Sequence, residues 1–205
     1  MNRTDVHGVL LAGGLARRMG GGDKSLMRLG GRTILDHVVE RARPQVAELL
    51  INANGDPARF ADFKLPVAAD VIPDFAGPLA GVLTGMAWVA DNAPEIPWLA
   101  SFATDAPFLP HDMVARLLAA IDEAGAEMAC ATSGGRAHPV FGIWPVRLRG
   151  ELKRAMEDEE MRKIDRWTAR YNIVHVAFDG PEVDPFFNVN RPENLAEAET
   201  MAGAS

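Results

Sequence analysis

The sequence predicts an α/β protein, a three-layer αβα sandwich around a mostly parallel mixed sheet of about seven strands. Through the first two-thirds of the chain, short apolar runs typical of strands alternate with stretches of helical periodicity. Later, two strand patterns are joined by the turn Ser133-Gly134-Gly135, which indicates a hairpin and hence an antiparallel strand. At 205 residues and without an internal repeat, the chain is expected to form one domain over residues 1–205.

Strand and helix patterns follow one another in the first half of the chain. The apolar run from Val9 to Ala12 predicts a buried strand, and a glycine-rich stretch follows it directly. Thr33 is expected to cap a helix whose apolar residues recur at helical spacing to about Arg43. The other elements predicted here are strands at 48–51 and 65–72, a short helix at 56–63 and a helix at 78–92 that begins with a first-turn proline.

The second half begins with the most apolar strand, Pro97 to Ala103, which is expected to lie centrally in the sheet. A helix with an apolar stripe follows from Met113 and ends at Gly125. The remaining predicted elements are strands at 127–132, 136–144 and 173–178, helical sequence at 147–170 and a last helix near the C-terminal end. One or two strands are therefore expected to run antiparallel to the others.

Composition narrows the class of ligand. A formal net charge of −7 argues against a nucleic-acid surface. Cys130 is the only cysteine, and the longest uncharged stretch, residues 75–90, is too short and too broken for a membrane span, so we expect a cytoplasmic protein without a nucleic-acid or membrane partner. The basic residues Arg17, Arg18 and Lys24 stand out on this acidic chain, and they favour a small phosphorylated ligand.

The glycine-rich stretch after the first strand predicts a phosphate-binding loop. Gly13 and Gly14 lack a Cβ atom and tolerate positive φ, so the backbone can lie against a ligand and point N–H groups at phosphate oxygens. Neither common phosphate motif is present, because Lys24 follows Asp23 rather than glycine and no G-x-G-x-x-G occurs between Gly13 and Gly22. An ordinary glycine-rich connection with solvated arginines accounts less well for three basic residues in register.

Several separated motifs resemble those of one enzyme family. The stretch from Leu11 to Lys24, with Leu-Ala-Gly-Gly, Arg-Arg-Met-Gly and Asp-Lys in order, resembles the signature of nucleotidyltransferases that load a nucleotide onto a phosphorylated acceptor. In this form it is most similar to the molybdenum cofactor guanylyltransferases, although the insertion Gly20-Gly21-Gly22 departs from their pattern. Further matching segments are Asn52, Asp74 with Gly77 to Gly81, Thr104 to Pro107, His138-Pro139 and Asn188 to Pro192. The resemblance covers nearly the whole chain and implies a Rossmann-like nucleotidyltransferase fold.

The resemblance also implies an activity, the transfer of GMP from GTP to the phosphate of molybdopterin, which yields molybdopterin guanine dinucleotide and pyrophosphate. It implies catalysis by Lys24, Arg18 and Asp105, with Mg²⁺ on Asp105, in accord with the preference of Mg²⁺ for one or two carboxylates beside phosphate oxygens. Arg136 and His138 are weaker candidates for acceptor contacts. The residues expected to bind nucleotide or metal are Leu11, Ala12, Gly13, Gly14, Lys24, Asn52, Asp74, Gly77, Asp105, Asn188 and Asn190. Besides GTP and the molybdenum cofactor, other cofactor-biosynthesis proteins and molybdoenzyme chaperones are expected partners.

Some of these assignments leave alternatives open. Asn52 suits a turn after its strand as well as it suits contact with a base or ribose. Asp74 is the family position for an aspartate that helps to hold the base, whereas Asp70 is interpreted as a strand-end or surface carboxylate. Asn190 is equally able to cap a turn.

Three alternative functions remain open. Two are enzymes that carry out the same nucleotidyl transfer on a different substrate, and the third is a binding module without this activity. A cytidylyltransferase of the same cofactor and a sugar-1-phosphate nucleotidyltransferase are the nearest enzymes, and they usually have alanine where this chain has Gly13. A catalytically silent GTP-sensing module is the rival from another class. Asp105 beside an intact basic loop favours an enzyme over that module.

Overall fold

The computed structural model of the protein describes residues 3–13, 24–73, 77–179 and 183–203. In these ranges the strands are β1 (Val6–Leu11), β2 (Arg28–Leu29), β3 (Arg32–Thr33), β4 (Leu49–Asn52), β5 (Val67–Ala68), β6 (Trp98–Ala103), β7 (Met128–Ser133), β8 (Arg136–Pro145) and β9 (Ile173–Ala177). Seven of them form one sheet in the order β5-β4-β1-β6-β8-β7-β9, and β2 pairs with β3 in a separate hairpin. The predicted size of the sheet is confirmed.

Strand β8 runs against its neighbours in this sheet. It pairs antiparallel with both β6 and β7, whereas β5, β4, β1 and β6 pair in parallel, as do β7 and β9. The turn between β7 and β8 places Gly134 and Gly135 at φ of 53° and 71°, in the left-handed region that glycine enters without strain. The predicted antiparallel strand is confirmed, as is the central position of β6.

Helices cover both faces of the sheet. In the described ranges they are α1 (Ile34–Ala42), α2 (Pro78–Asn92), α3 (Met113–Ala124), α4 (Arg149–Asp158), α5 (Ile164–Thr168) and α6 (Pro192–Gly203). Side chains of α1, α3 and α6 pack in one buried cluster with Leu10 of β1, and side chains of α2, α4 and α5 pack in a second cluster with Val9. Because neighbouring residues of a strand face opposite sides of a sheet, the clusters lie on opposite faces. The three-layer αβα sandwich is confirmed.

Two helix starts shape the edge of the sheet where the loops lie. Thr33 caps α1 as predicted: Asp36 N donates to Thr33 Oγ1 at 3.0 Å, and Thr33 N donates to Asp36 Oδ2 at 2.8 Å. Helix α2 begins with Pro78 directly after Gly77, whose φ of 130° is strained for any residue with a Cβ atom.

No helix in the described ranges is both long and apolar enough to span a membrane.

The predicted strand at 65–72 is much shorter in the structure. β5 ends after two residues, and side chains accept from the backbone beyond it. Asn54 Oδ1 accepts from Asp70 N at 2.9 Å, and Thr84 Oγ1 accepts from Val71 N at 3.1 Å. Side chains that satisfy backbone N–H groups compete with strand pairing, which explains why the ladder stops early.

Three other regions differ in detail from the sequence prediction. The short helix after β4 is a 3₁₀ helix, Pro57–Phe63. The helical sequence at 147–170 is divided into α4 and α5, because Glu160 adopts a φ of 52° that no α-helix contains. The turn at Gly30 and Gly31 joins β2 and β3, whose two-residue strands are too short to give a periodic signal.

Candidate active site

Three parallel strands bring the predicted site residues to one edge of the sheet. β1 lies between β4 and β6, and all three run in the same direction. Beyond their ladders, Ala12 N donates to Asn52 O at 2.9 Å, and Thr104 Oγ1 donates to Leu11 O at 3.2 Å. The carboxyl ends of such strands are where open α/β sheets bind ligands. The structure gathers Leu11, Ala12, Asn52 and Asp105 at this edge.

Gly13 follows β1 with free space around it. An added Cβ atom would meet no described atom within 4 Å, so packing does not require glycine here. Gly13 also makes no use of its freedom to adopt positive φ. The described residues therefore leave space beside the strand end at Gly13. Gly14, Arg17 and Arg18, which the sequence assigned to the same loop, lie outside the described residues.

Lys24 and Asn190 join the two ends of the chain at this edge. Lys24 opens a 3₁₀ turn, and its Nζ donates to Asn190 Oδ1 at 3.1 Å. The neighbouring Val189 is fully buried, and its backbone N donates to Asp105 O at 2.8 Å. The segment that carries Asn188 and Asn190 is thereby held directly against the end of β6.

Asp105 is partly buried where β6 ends. Burial raises the pKa of its carboxyl group, while a backbone hydrogen bond and the Lys24 ammonium lower it by smaller amounts. Burial makes the ionised carboxylate unfavourable, and a nearby cation would stabilise it. The residue therefore suits a divalent metal ion. In the described ranges no three His, Cys, Asp or Glu residues cluster as a metal cage.

Asn52 is hydrogen-bonded to Asp70. The asparagine is only 3% exposed, and its Nδ2 donates to Asp70 Oδ1 at 2.9 Å. Asn54 Nδ2 donates to Oδ2 of the same carboxylate at 2.8 Å. Asp70 is a strand-end carboxylate, as expected, but it is also held by two amides and keeps lone pairs for a ligand. Asp74, the family position named from the sequence, lies outside the described residues.

The Gly-Pro-Leu-Ala-Gly motif allows α2 to approach the strand ends closely. A Cβ atom on Gly81 would collide with Asn52 Oδ1 and lie 2.5 Å from Leu11 Cδ2. Only glycine therefore lets the first turn of α2 rest on β1 and β4. The Asn52 amide is consequently held between α2 on one side and Asp70 on the other.

A cavity of about 440 Å³ opens beside Asn190. Its lining includes Arg136, His138, Phe186, Asn188 and Asn190. The two asparagines of the Asn-Val-Asn segment thus share one cavity with the basic and imidazole groups of β8. The cavity adjoins the Lys24–Asn190 hydrogen bond and extends the strand-end site to the other half of the sheet.

Neither Ser133 nor Cys130 is an activated nucleophile. Ser133 Oγ lies 2.7 Å from His138 Nε2 and 2.7 Å from Asp184 Oδ1. In a catalytic triad the imidazole lies between the serine and the carboxylate, whereas here the serine lies between the other two groups. Burial raises the pKa of the Cys130 thiol to about 11, which leaves it protonated at neutral pH.

The sequence did not reveal the partners of Asp70, Ser133 and Asp184. For Asp70 the sequence contained a usable pattern. Asn52 and Asn54 are alternate residues, so they share one face of an extended backbone and could have been expected to bind the same partner. Ser133 and Asp184 are 51 residues apart, and no local pattern relates them.

The sheet edge offers the Lys24 ammonium, the Asp105 carboxyl group and open backbone at Gly13. Such groups suit a nucleotidyltransferase, because transfer between phosphates depends on alignment and charge stabilisation. Comparison with known proteins makes the class specific. A sequence model of the MobA-like NTP transferase domain matches residues 8–174, and the chain belongs to this family.

Individual relatives agree with this family. The chain is 54% identical over 199 residues to the molybdenum cofactor guanylyltransferase of Bradyrhizobium sp. (strain ORS 278), covering 97% of this chain and 94% of that protein. Its fold is similar to molybdopterin-guanine dinucleotide biosynthesis protein A from Archaeoglobus fulgidus, with a TM-score of 0.75 at 21% identity over 97% of this chain and 100% of the other. It is also similar to Rv0371C from Mycobacterium tuberculosis, solved in complex with manganese, with a TM-score of 0.67 at 19% identity over 96% and 99% of the two chains.

Proposed function

We propose that this protein is a molybdenum cofactor guanylyltransferase, which transfers GMP from GTP to the terminal phosphate of molybdopterin. The observation that carries the proposal is the Lys24–Asn190 hydrogen bond beside Asp105, because it joins the strand-end site to the cavity of Asn188 and Asn190. A donor nucleotide and an acceptor need two such adjoining regions. The 54% identity to a protein of that name supports this choice of substrates.

The guanine base is assigned to the amide-bound carboxylate at the end of β5. Asp70 accepts one hydrogen bond on each oxygen, from Asn52 and Asn54, and a carboxylate has about four acceptor positions. Guanine presents an N1–H and a 2-amino group as donors, which match the positions left open. Adenine presents an acceptor at N1 and lacks the adjacent pair of donors, so it would leave an open acceptor position of the carboxylate without a partner and would bind less well.

The triphosphate is assigned to the loop after β1 and to Lys24. The space beside Gly13 admits a phosphate close to the backbone, and Lys24 supplies a positive charge next to Asp105. Arg18 is proposed as a second cation of this cradle. Charge that develops on phosphate oxygens during transfer is stabilised most by groups already held in place, and Asn190 holds the Lys24 ammonium.

The proposed reaction is a direct displacement between phosphates. An oxygen of the acceptor phosphate attacks the α-phosphorus of GTP, the bond from that phosphorus to the bridging oxygen breaks, and pyrophosphate leaves with the electron pair. The attacking oxygen is already an anion, so no general base is required. This agrees with the absence of an activated nucleophile at Ser133 or Cys130, and the chain's task is to align the two substrates.

A divalent cation is part of the proposal, with Mg²⁺ as the metal. Asp105 would hold it, and the metal-bound state would supply charge neutralisation at the phosphate oxygens. The raised pKa of Asp105 supports this role, because a cation would offset the cost of burying the ionised carboxylate. The acceptor is assigned to the cavity lined by Arg136, His138 and Asn188.

We also infer that residues 1–205 work as one domain in the cytoplasm. Both buried clusters pack on the same sheet, which supports a single folding unit. The lone cysteine, Cys130, is buried and without a partner cysteine, which suits a reducing compartment.

The experiment that tests the function measures pyrophosphate release from GTP with Mg²⁺, with and without molybdopterin. We expect release only with the acceptor, in equal amount to the guanine dinucleotide formed. GTP binding without any release would favour the silent sensing module. Release with sugar 1-phosphates but not with molybdopterin would favour the sugar nucleotidyltransferase.

A further inference from the structure

Residues 184–190, here called the strap, carry both asparagines of the proposed site. The strap is held at its C-terminal end by the contacts of the active site itself. Val189 N donates to Asp105 O at 2.8 Å, and Asn190 Oδ1 accepts from Lys24 Nζ at 3.1 Å. Asn188, between these contacts and the start of the strap, is exposed. Because Asn188 lies between the two ends of the strap, its position depends also on how the N-terminal end of the strap is anchored.

The N-terminal end of the strap is anchored to the β7–β8 hairpin. Asp184 Oδ1 accepts from Ser133 Oγ at 2.7 Å and from Phe186 N at 3.0 Å. Phe186 is 2% exposed, and its ring centroid lies 4.8 Å from that of His138 and 4.6 Å from that of Phe141. A buried serine thus joins a strand of the sheet to an otherwise irregular segment.

The direction of the hydrogen bonds follows from the number of protons. A serine hydroxyl has one proton, and the Asp184 carboxylate can only accept it. His138 Nε2, 2.7 Å from the same oxygen, must then be the donor to Ser133 Oγ. Burial lowers the pKa of His138, which favours the neutral ring, and in that ring the donation requires the tautomer with the proton on Nε2. The result is one continuous relay from His138 through Ser133 to Asp184.

We propose that Ser133 is a positioning residue for nucleotidyl transfer, which through Asp184 holds the strap so that Asn188 and Asn190 stay opposite Lys24 and Asp105. This inference rests on the proposed function. Ser133 touches neither substrate in this account. Its hydroxyl fixes one end of the strap, while the active-site contacts fix the other.

Loss of the Ser133 hydroxyl leaves Asp184 with the backbone of Phe186 as its remaining partner in this network. The strap is then held less firmly, the hydrogen bond from Val189 N to Asp105 O opens more often, and the acceptor loses its alignment with the nucleotide. A displacement of about 1 Å in a reacting group is enough to lower a rate by about 10²-fold. GTP, which is assigned to the other half of the sheet, should still bind.

The test uses two disruptive variants, two conservative ones and a matched control. Ser133→Ala and Asp184→Ala break the relay, and Asp184 is exposed, so its variant should fold even if the serine variant does not. Ser133→Thr and Asp184→Asn keep an oxygen that can make the same hydrogen bonds. Thr132→Val is the control, because it removes the neighbouring hydroxyl, which donates to Val176 O at 3.2 Å on the edge strand.

Two readouts separate positioning from a merely structural role. The first is amide hydrogen exchange at Val189 in the substrate-free protein, which reports opening of the strap from Asp105. We expect exchange at least about 10-fold faster in both disruptive variants and wild-type exchange in the control. The second is the split between kcat and KM, where we expect kcat to fall about 10–100-fold with little change in the KM for GTP.

The outcomes distinguish this inference from the proposed function. An active wild type with unchanged Val189 exchange and unchanged kcat in both disruptive variants would overturn the positioning role. Equal losses in Thr132→Val would also overturn it. An inactive wild type with faster exchange in the disruptive variants would overturn the proposed function while supporting the anchor.

Discussion

The two halves of the site are built in different ways. In the nucleotide half, β1, β4 and β5 end side by side, and the amide of Asn52 reaches a carboxylate only 18 residues further along the chain. In the acceptor half, the strap is held by contacts between residues that are 51 and 166 positions apart. Parallel strand ends fix the first half, whereas contacts between residues far apart in sequence fix the second. Changes in the first half should therefore alter nucleotide affinity, and changes in the second should alter alignment.

Asp105 lies where the halves meet, and Asp105→Asn should have the largest effect. We expect kcat to fall by about 10³-fold or more, because the variant removes the carboxylate proposed to hold the cation. The metal-free variant should nevertheless be more stable than wild type at neutral pH. Burial raises the folded-state pKa of Asp105, so its ionisation costs stability as the pH rises above the unfolded value of about 3.9. Measurement of kcat and of metal-free Tm against pH checks both expectations.

The control for this prediction is Asp112→Asn, an exposed aspartate at the start of α3. It should leave kcat unchanged. Added Mg²⁺ should raise the Tm of wild type but not of Asp105→Asn. Retention of a tenth of wild-type kcat by Asp105→Asn would refute the metal assignment.

Lys24→Ala tests the cation that links the halves. We expect kcat/KM for GTP to fall by about 10²–10³-fold, the scale of losing one preorganised group at developing phosphate charge. Arg18→Ala should also be damaging, and Arg17→Ala less so. Lys153→Ala, on the exposed face of α4, is the control. Small and equal losses from Lys24→Ala and Arg18→Ala would rule out the phosphate cradle.

Asp70→Asn tests whether the nucleotide half reads guanine. An amide at this position replaces one acceptor oxygen with a donor, so we expect kcat/KM for GTP to fall by about 10²-fold without improvement for ATP. Asp62→Asn, an exposed aspartate of the 3₁₀ helix, should have no effect. The same assays on Asp74→Ala show which carboxylate reads the base. A normal GTP preference in Asp70→Asn would contradict the assignment.

Gly13→Ala should give the smallest effect. An added Cβ meets no described atom, so Tm should not fall, as in the control Gly150→Ala, where an added Cβ also meets no described atom. Gly13 is expected to leave room for a purine as well as for phosphate, so the added methyl group should hinder GTP more than CTP and narrow the ratio of GTP to CTP turnover by about 10-fold. Turnover of both nucleotides, measured with the same acceptor, checks this. An unchanged ratio would show that Gly13 does not select the nucleotide.

The nucleotide half depends mainly on residues close in sequence and the acceptor half on residues far apart, and this difference explains which features the sequence could predict. Local patterns were sufficient for the strand ends, the capping of α1 by Thr33 and the start of α2, because those features depend on residues close in sequence. The shortening of β5 depends on tertiary contacts such as Val71 N to Thr84 Oγ1. The relay through Ser133 joins a strand to a distant loop, and a single sequence contains no periodicity that reports such a contact.

The most direct test of the account is the relative use of three nucleotides by the wild-type protein. Pyrophosphate release with saturating molybdopterin and Mg²⁺ gives kcat/KM for GTP, CTP and ATP in one assay. We expect kcat/KM for GTP to exceed both others by about 10²-fold or more, because Asp70 pairs with donors that only guanine presents together. Use of CTP at least as well as GTP would contradict it and favour the cytidylyltransferase.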